Sequence, residues 1–301
     1  MEKTAQAPAP SPLPQGALPI AAVAAVPPHA WFAVSAVFHY LGPAFAVLLF
    51  DQVGVLGMAW LRIATAALVF APLARPWRIF GRADRQTLHL LLAFGACLAV
   101  MNCSFYLALE RLPISLVAAI EFVGTVAVAL AGLRSLRNLA SLGMAVAGAL
   151  LLIDVRWSSD PVGLAWALLN GALFVAYVVI GHRVSRTTAG GIAGLGAAMA
   201  VAFAVVLPIG LRDALPAFGS PQLLLAAAGV GICSSVIPYI CDQFAMSRLP
   251  RASFALMLSL LPLTATLIGA LVLRQIPGVR DLAGIALVMA GVALHRPAAP
   301  S

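Results

Sequence analysis

The chain has 301 residues, of which 62% are hydrophobic and 9% are charged, and its mean hydropathy is +1.03. Soluble domains carry about a quarter charged residues, so this composition excludes a soluble protein. The net charge of +8 comes from basic residues spread thinly between apolar runs, without a basic face or an aromatic RNA motif, which excludes a nucleic-acid partner. Continuous apolar runs of about twenty residues predict membrane-spanning helices surrounded by lipid.

Residues 1–28 are rich in alanine and proline and are predicted to form a disordered cytoplasmic tail. Residues 17–26 are similar to a signal-peptide core, but only Lys3 precedes them as a positive charge, so cleavage is the less favoured alternative. Ten apolar spans with short loops follow. Their approximate limits are 30–50, 53–74, 88–109, 113–132, 138–153, 161–181, 190–211, 222–243, 252–273 and 281–295.

The distribution of arginine and lysine predicts the orientation, because cytoplasmic loops are enriched in both. With both termini inside, the inner segments hold 12 basic residues and the outer loops hold five. The sequence therefore predicts a multi-pass membrane protein with both termini in the cytoplasm.

Two stretches of the second half repeat stretches of the first half, in the same order. Residues 108–132 match 245–269 at seven of 25 positions, including Arg-Leu-Pro, and 137–151 match 280–294 at six of fifteen. Five spans per repeat would invert the second half, as in many secondary transporters, whose sites lie near the midplane. The predicted fold is therefore all-α, with ten transmembrane helices as two inverted five-helix repeats. The predicted domains are the tail 1–28 and the repeats 29–156 and 157–296.

The stretch NCSFYLALERLPISLVAAIEFVGTVAVAL (102–130), with an arginine in the second span, resembles the EamA-type branch of the drug/metabolite transporter superfamily. VIPYICDQFAMSRLP (236–250) and LFVAYVVIGHR (173–183) are similar to its bacterial threonine/homoserine exporters. The resemblance implies export across the bacterial inner membrane. The chain departs from the family pattern at three places. Thr125 stands where the family often has proline, Leu261 where it often has glutamate, and Arg274-Gln275 where it often has Gly-Glu.

One carboxylate, Glu121, lies in a run of sixteen residues (115–130) that otherwise suits a lipid interior. It follows Pro113, which opens the helix, by eight residues, so it lies about 12 Å deep. Burial disfavours a charged carboxylate and a nearby cation favours it, so such a group can exchange a proton for substrate. The alternative is a structural carboxylate that is hydrogen-bonded to neighbouring helices.

Arg62 lies nine residues into the second span and stays protonated at any useful pH. It serves either as a structural partner of Glu121 or of backbone carbonyls, or as a ligand for a substrate carboxylate. A third alternative is that it snorkels to the membrane surface. The structural role and the substrate-binding role are compatible if substrate displaces Glu121 from Arg62.

Other polar residues within the spans either hydrogen-bond between helices or contact a small polar solute. Asn102 and Tyr106 are four residues apart and share a helix face. Asp242, near the cytoplasmic end of the eighth span, is either a solvated helix-end charge or a gate or proton relay. His39 is either structural or titrates near neutral pH. The predicted substrate and proton pathway is Glu121, Arg62, Asn102, Tyr106, Tyr177, Asn170, Asp242 and His39.

The sequence has no GxxxxGK[ST], HExxH or GxSxG motif and no CxxC pair, and its four cysteines lie in apolar spans. We therefore expect no enzyme activity, no cofactor and no metal, and an ion gradient as the energy source. Small residues four apart, Gly143 with Ala147 and Ala286 with Ala290, predict close helix packing, or alternatively a homodimer seam.

Proton-coupled export of a small amino acid such as threonine or homoserine is the favoured function. Export of other small metabolites or drugs and passive facilitation by the same fold are the alternatives. A membrane enzyme acting on lipid fits less well, because only Glu121 and Arg62 lie deep in the spans. A receptor or assembly subunit also fits less well, because the chain has no large soluble domain through which to signal.

Overall fold

The computed structural model describes residues 26–130, 136–157, 160–185, 187, 191–246 and 261–294. Within these ranges the regular elements are all helices, which confirms the predicted all-α class. The helices are α1 (Pro28–Val47), α2 (Phe50–Val53), α3 (Val55–Ala74), α4 (Pro76–Phe80), α5 (Arg85–Leu109), α6 (Ile114–Leu130), α7 (Leu136–Trp157), α8 (Pro161–Ser185), α9 (Gly191–Phe218), α10 (Pro221–Gly231), α11 (Ile237–Met246), α12 (Leu261–Val272) and α13 (Val279–Leu294).

The described helices overlap the predicted spans, and the count of ten spans stays a prediction. Six helical segments are long and apolar enough to cross a membrane: they lie in α1, α3, α5, α8 and α9 and in Pro221–Asp242, which begins in α10 and ends in α11. α12 is a shorter apolar helix. A π-helical turn, Ile232–Val236, joins α10 to α11 within the eighth predicted span. Most of the predicted tail, the second Arg-Leu-Pro motif and the start of the ninth span lie outside the described residues. The division into two repeats of five spans stays a prediction.

Helices from distant parts of the sequence form the interior of the bundle. α3 packs along α9, α5 lies between α8 and α9, and α6 contacts α8 and α12. α1 packs against α11 and α12, which brings the beginning of the chain next to its last third. These contacts leave polar side chains of α1, α3, α5, α6, α8 and α11 facing a common space.

α7 and α13 also pack side by side, but through a different face of α7 than the spacing predicted. Gly143 and Ala147 are exposed, and a Cβ atom added at Gly143 would meet no atom within 4 Å. A Cβ atom at Gly148 would instead approach the Gly284 carbonyl oxygen to 2.6 Å, and Ser141 donates a hydrogen bond to α13. Ser141 and Gly148 are seven residues apart and share one face. The predicted role of Gly143 in helix packing within the protomer is therefore wrong, and the homodimer seam stays a prediction.

Gln275 connects the loop before α13 to the start of α6, the helix that carries Glu121. Its Oε1 accepts a hydrogen bond from the backbone N–H of Ile114 at 3.0 Å. The first N–H groups of a helix have no partner within the helix, so this side chain satisfies one of them. Gln275 belongs to one of the three departures from the family pattern, and in this chain its side chain caps the start of α6.

Replacing Gln275 with leucine is expected to lower the free energy of unfolding by about 1 kcal/mol, the usual effect of losing such a cap. Replacement with glutamate keeps the acceptor and places a negative charge where a helix start favours it, so this variant should match the wild type. Thermal unfolding in detergent measures both. Equal midpoints for the leucine and glutamate variants would contradict the capping role.

Candidate functional site

A cavity lies in the interior of the bundle, between helices from both halves of the chain. It encloses about 610 Å³ that protein atoms do not fill, open space at its mouth included. Its walls are formed by Phe32, Ser35, His39, Arg62, Met101, Asn102, Phe105, Glu121, Asn170, Phe174, Tyr177, Tyr239, Asp242 and Leu261.

The structure brings the predicted pathway residues together. Seven of the eight line this cavity, and the eighth, Tyr106, lies beside Arg62. The first half of the chain supplies Arg62 and Glu121, and the second half supplies Asn170 and Asp242. The cavity therefore lies where the two halves meet. The transport role of these residues remains a prediction.

Arg62 is fixed deep in the protein. Only 4% of its surface is exposed, so the alternative that it snorkels to the membrane surface is wrong. Its Nε donates to Ser235 Oγ at 2.8 Å, and its Nη2 donates to the Ser234 carbonyl oxygen at 2.9 Å. The guanidinium carbon lies 5.3 Å from the centre of the Tyr106 ring, a cation–π contact. Its third nitrogen, Nη1, is buried and has no hydrogen-bond partner among the described residues.

The local sequence explains why Arg62 binds at Ser234. In an α-helix the N–H of residue 238 would donate to the carbonyl of residue 234, but Pro238 has no N–H. The backbone forms a π-helical turn here, and Arg62 supplies the missing donor. π-helical turns often occur at functional sites. A proline in the eighth span thus creates the acceptor that holds the arginine of the second span.

Glu121 lies on α6 with 6% of its surface exposed. Asn170 of α8 donates from Nδ2 to Glu121 Oε1 at 3.4 Å. The two helices approach closely, because a Cβ atom added at Gly171 would lie 3.3 Å from the Ile120 carbonyl oxygen. Asn170 itself is fully buried, and its Oδ1 has no hydrogen-bond partner among the described residues.

Arg62 and Glu121 line the same cavity without forming an ion pair. Within the described ranges Arg62 makes no ion pair within 4.0 Å. Two structural partners were predicted for Arg62: a backbone carbonyl or Glu121. The hydrogen bond to a backbone carbonyl is observed, together with one to a serine hydroxyl, and the direct pairing with Glu121 is not observed.

Asp242 belongs to the cavity wall. The hydroxyl of Ser35 donates to Asp242 Oδ1 at 2.5 Å and so connects α1 to α11. This contact does not fit a solvated charge at a helix end, one of the two alternatives for Asp242. His39, one turn beyond Ser35 on α1, also faces the cavity, and its ring packs edge-on against Tyr40 at 5.2 Å between centroids.

Aromatic rings form one side of the cavity. Tyr177 stacks on Phe94 at 5.4 Å and on Tyr239 at 6.3 Å between centroids, and it also contacts Phe174. Such a wall provides apolar surface for the carbon atoms of a small solute. Asn102 Nδ2 donates to the Leu98 carbonyl oxygen of its own helix at 2.7 Å.

The sequence reasoning missed Ser35, Tyr239 and the pair Ser234 and Ser235. A usable signal for the serine pair was Pro238, because a proline within a span leaves the carbonyl four residues earlier without its donor. Among the described residues no group of three or more His, Cys, Asp or Glu side chains has the arrangement of a metal site.

Known proteins resemble this chain along most of its length. A family model described as the EamA-like transporter family matches residues 161–295. The threonine/homoserine exporter RhtA of Salmonella typhimurium (strain LT2) is 30% identical over 256 residues, which cover 83% of this chain and 85% of that protein. RhtA of Escherichia coli (strain K12) is 30% identical over 238 residues, which cover 78% of this chain and 79% of that protein.

A solved structure, described as "Crystal structure of protein", matches with a TM-score of 0.54 at 19% identity. It covers 88% of this chain and 96% of that chain. At this identity the likeness shows the fold alone. The family model, the relatives and the membrane-crossing helices agree with one another. The chain is therefore a multi-pass membrane protein that belongs to the EamA-like transporter family.

Proposed function

We propose that this protein exports small amino acids such as threonine or homoserine across the bacterial inner membrane in exchange for protons. The observation that carries the proposal is that the buried residues Glu121 and Arg62 line one cavity between helices from both halves of the chain. The substrate and the direction come from the names of relatives that are 30% identical over most of the chain.

Helix packing supports two inverted repeats, 29–156 and 157–296. Suppose that each span of the first half corresponds to the span five positions later, so that α1 corresponds to α8, α3 to α9, α5 to α10 and α11, α6 to α12, and α7 to α13. Exchanging the two halves then turns the contact of α5 with α8 into the contact of α11 with α1. In the same way, the contact of α6 with α8 becomes that of α12 with α1, and the contact of α5 with α9 becomes that of α10 with α3. The contacts α3–α9, α6–α12 and α7–α13 map onto themselves. All of these contacts occur, so the main packing is symmetric under the exchange.

This symmetry suits alternating access, in which two related halves rock about a central site. Glu121 is the proton-carrying group of the proposal, because a carboxylate in a low-dielectric cavity can be neutral or charged according to its neighbours. In the exchange, a proton bound from the outside is released to the inside, and substrate moves outward through the same cavity. Proton and substrate then occupy Glu121 and its surroundings in turn.

Gly81 and Gly219 are exposed residues that lie after α4 and after α9. The proposed orientation places Gly81 on the cytoplasmic side of the membrane and Gly219 on the opposite side. In intact cells, a membrane-impermeant maleimide should label a Gly219→Cys variant and leave a Gly81→Cys variant unlabelled. Inside-out vesicles should give the reverse pattern. Labelling of both variants from the same side would contradict the span count between them.

Radiolabelled threonine and homoserine uptake into inside-out vesicles tests the proposed function. Because export from the cell becomes uptake in this geometry, vesicles with the protein should accumulate either solute above protein-free vesicles. Uptake equal to that of protein-free vesicles for both solutes would reject these two substrates. Uptake that ends at equal concentrations with an acid interior would identify a passive facilitator.

A further inference from the structure

Two residues of the cavity wall each have a buried polar atom without a hydrogen-bond partner among the described residues, and the two atoms are opposite in character. One is Arg62 Nη1, a charged donor, and the other is Asn170 Oδ1, an acceptor. Arg62 is 4% exposed and Asn170 is 0% exposed, and both side chains line the cavity. An unsatisfied buried donor or acceptor is unfavourable, and a charged one more so, so such atoms commonly have a partner. A bound solute can provide partners for both atoms.

We infer that these atoms form a site for a zwitterion, in which Arg62 Nη1 binds the α-carboxylate and Asn170 Oδ1, beside Glu121, binds the α-ammonium. The inference rests on the proposed function and adds which residues bind the two charged ends of the substrate. It also specifies the chemical class: amino acids whose α-amino and α-carboxyl groups are both free.

The carboxylate end follows from the geometry of Arg62. Its Nε and Nη2 are occupied by Ser235 and the Ser234 carbonyl, so the guanidinium is held in place before substrate arrives. The remaining nitrogen, Nη1, is then held in place as a donor without a partner among the described residues, on a side chain of the cavity wall. Guanidinium–carboxylate hydrogen bonds are among the strong ones in proteins because both partners are charged.

The ammonium end follows from the orientation of Asn170. Its Nδ2 donates to Glu121 Oε1, which is the arrangement that an ionised carboxylate favours, because it can only accept. That orientation turns the Oδ1 acceptor away from Glu121. An ammonium group there would donate to Oδ1 and lie next to the negative charge of Glu121.

The cavity has a second carboxylate, Asp242, but it fits the ammonium less well. Asp242 Oδ1 already accepts a hydrogen bond from the Ser35 hydroxyl at 2.5 Å. Asn170 Oδ1, by contrast, has no hydrogen-bond partner among the described residues, so it is the acceptor that an ammonium group would satisfy.

The test measures binding by calorimetry to the purified protein in lipid nanodiscs. The ligands are L-threonine, L-homoserine, L-threoninamide, which lacks the carboxylate, and N-acetyl-L-threonine, which lacks the ammonium. Each blocked ligand should bind roughly 10- to 100-fold more weakly than threonine, since a hydrogen bond to a charged group is lost and its partner stays unsatisfied. Equal binding of threonine and either blocked ligand would overturn the assignment of that end.

Substitutions assign the ends to residues. Asn170→Ala should weaken threonine binding by about 10-fold or more and reduce the preference for threonine over N-acetylthreonine. The preference over threoninamide should stay. Asn138→Ala is the matched control, because α7 contributes no residue to the described cavity wall, and it should bind like the wild type. Loss of the ammonium preference in Asp242→Asn but not in Asn170→Ala would overturn the ammonium assignment.

A panel of the twenty common amino acids separates this inference from the proposed function. If none of them binds, both are rejected, because the cavity then takes no free amino acid. If threonine is transported but the blocked ligands bind equally well, the proposed function stands and the zwitterion site is rejected.

Discussion

Replacing Glu121 with glutamine is expected to abolish amino-acid accumulation driven by a pH gradient while leaving the protein folded. Glutamine has the same shape, and its side-chain oxygen can still accept the hydrogen bond from Asn170. It cannot bind and release a proton near neutral pH, so substrate movement would lose its coupling to the gradient. The measurement is radiolabelled threonine uptake into proteoliposomes with an acid interior, compared with the same vesicles without a gradient.

The size of the expected effect follows from the driving force. For exchange of one proton per substrate, a gradient of one pH unit supplies about 1.4 kcal/mol, enough for roughly tenfold accumulation. The Glu121→Gln protein should reach no accumulation above equilibrium. Glu110→Gln is the matched control, because Glu110 lies in an exposed loop beside Arg111, and it should behave like the wild type. Gradient-driven accumulation that survives in Glu121→Gln would make Glu121 a structural residue.

The second large effect is expected at Gly42, where α1 presses against the π-helical turn. A Cβ atom at Gly42 would lie 2.6 Å from the backbone nitrogen and 2.7 Å from the Cα atom of Ser234. Backbone atoms cannot rotate away as a side chain can, so α1 would have to move off the turn that holds Arg62. We expect Gly42→Ala to lower the free energy of unfolding by about 1–3 kcal/mol or more and to abolish substrate binding.

Gly143→Ala is the matched control for this prediction. Gly143 also lies within a helix, but an added Cβ atom would meet nothing within 4 Å. Alanine there should stabilise the helix by about 0.5–1 kcal/mol, the ordinary difference between the two residues. Thermal unfolding and threonine binding, measured on both variants, check the pair. A Gly42→Ala protein that unfolds and binds like the wild type would show that the contact with Ser234 is not needed.

Much of the architecture could be predicted from the sequence, because apolar runs of a span's length have few alternatives in lipid. The clustering of Glu121 and Arg62 was also foreseeable. Deep charged residues face the protein interior, where they find partners, instead of lipid. The repeat matches around Arg-Leu-Pro suggested a site between the halves, and the cavity between α3, α6, α8 and α11 agrees with that position.

The partners of these residues were harder to predict. Which carbonyl binds Arg62 depends on Pro238 and on the approach of α3 to the π-helical turn, and neither apolar periodicity nor spacing specifies that approach. The prediction also named the wrong face of α7 as the one that contacts α13. Small residues occur on more than one face of α7, and only tertiary packing selects between them.

The most direct test of the proposed mechanism measures proton and substrate movement in the same wild-type proteoliposomes. A pH-sensitive dye inside the vesicles reports protons, and radiolabelled threonine or homoserine reports substrate. The exchange mechanism predicts that a substrate gradient alone drives protons in the opposite direction, and that protein-free vesicles show no such movement. Substrate flux without any proton movement would contradict coupling through Glu121 and would indicate a passive facilitator built on the same fold.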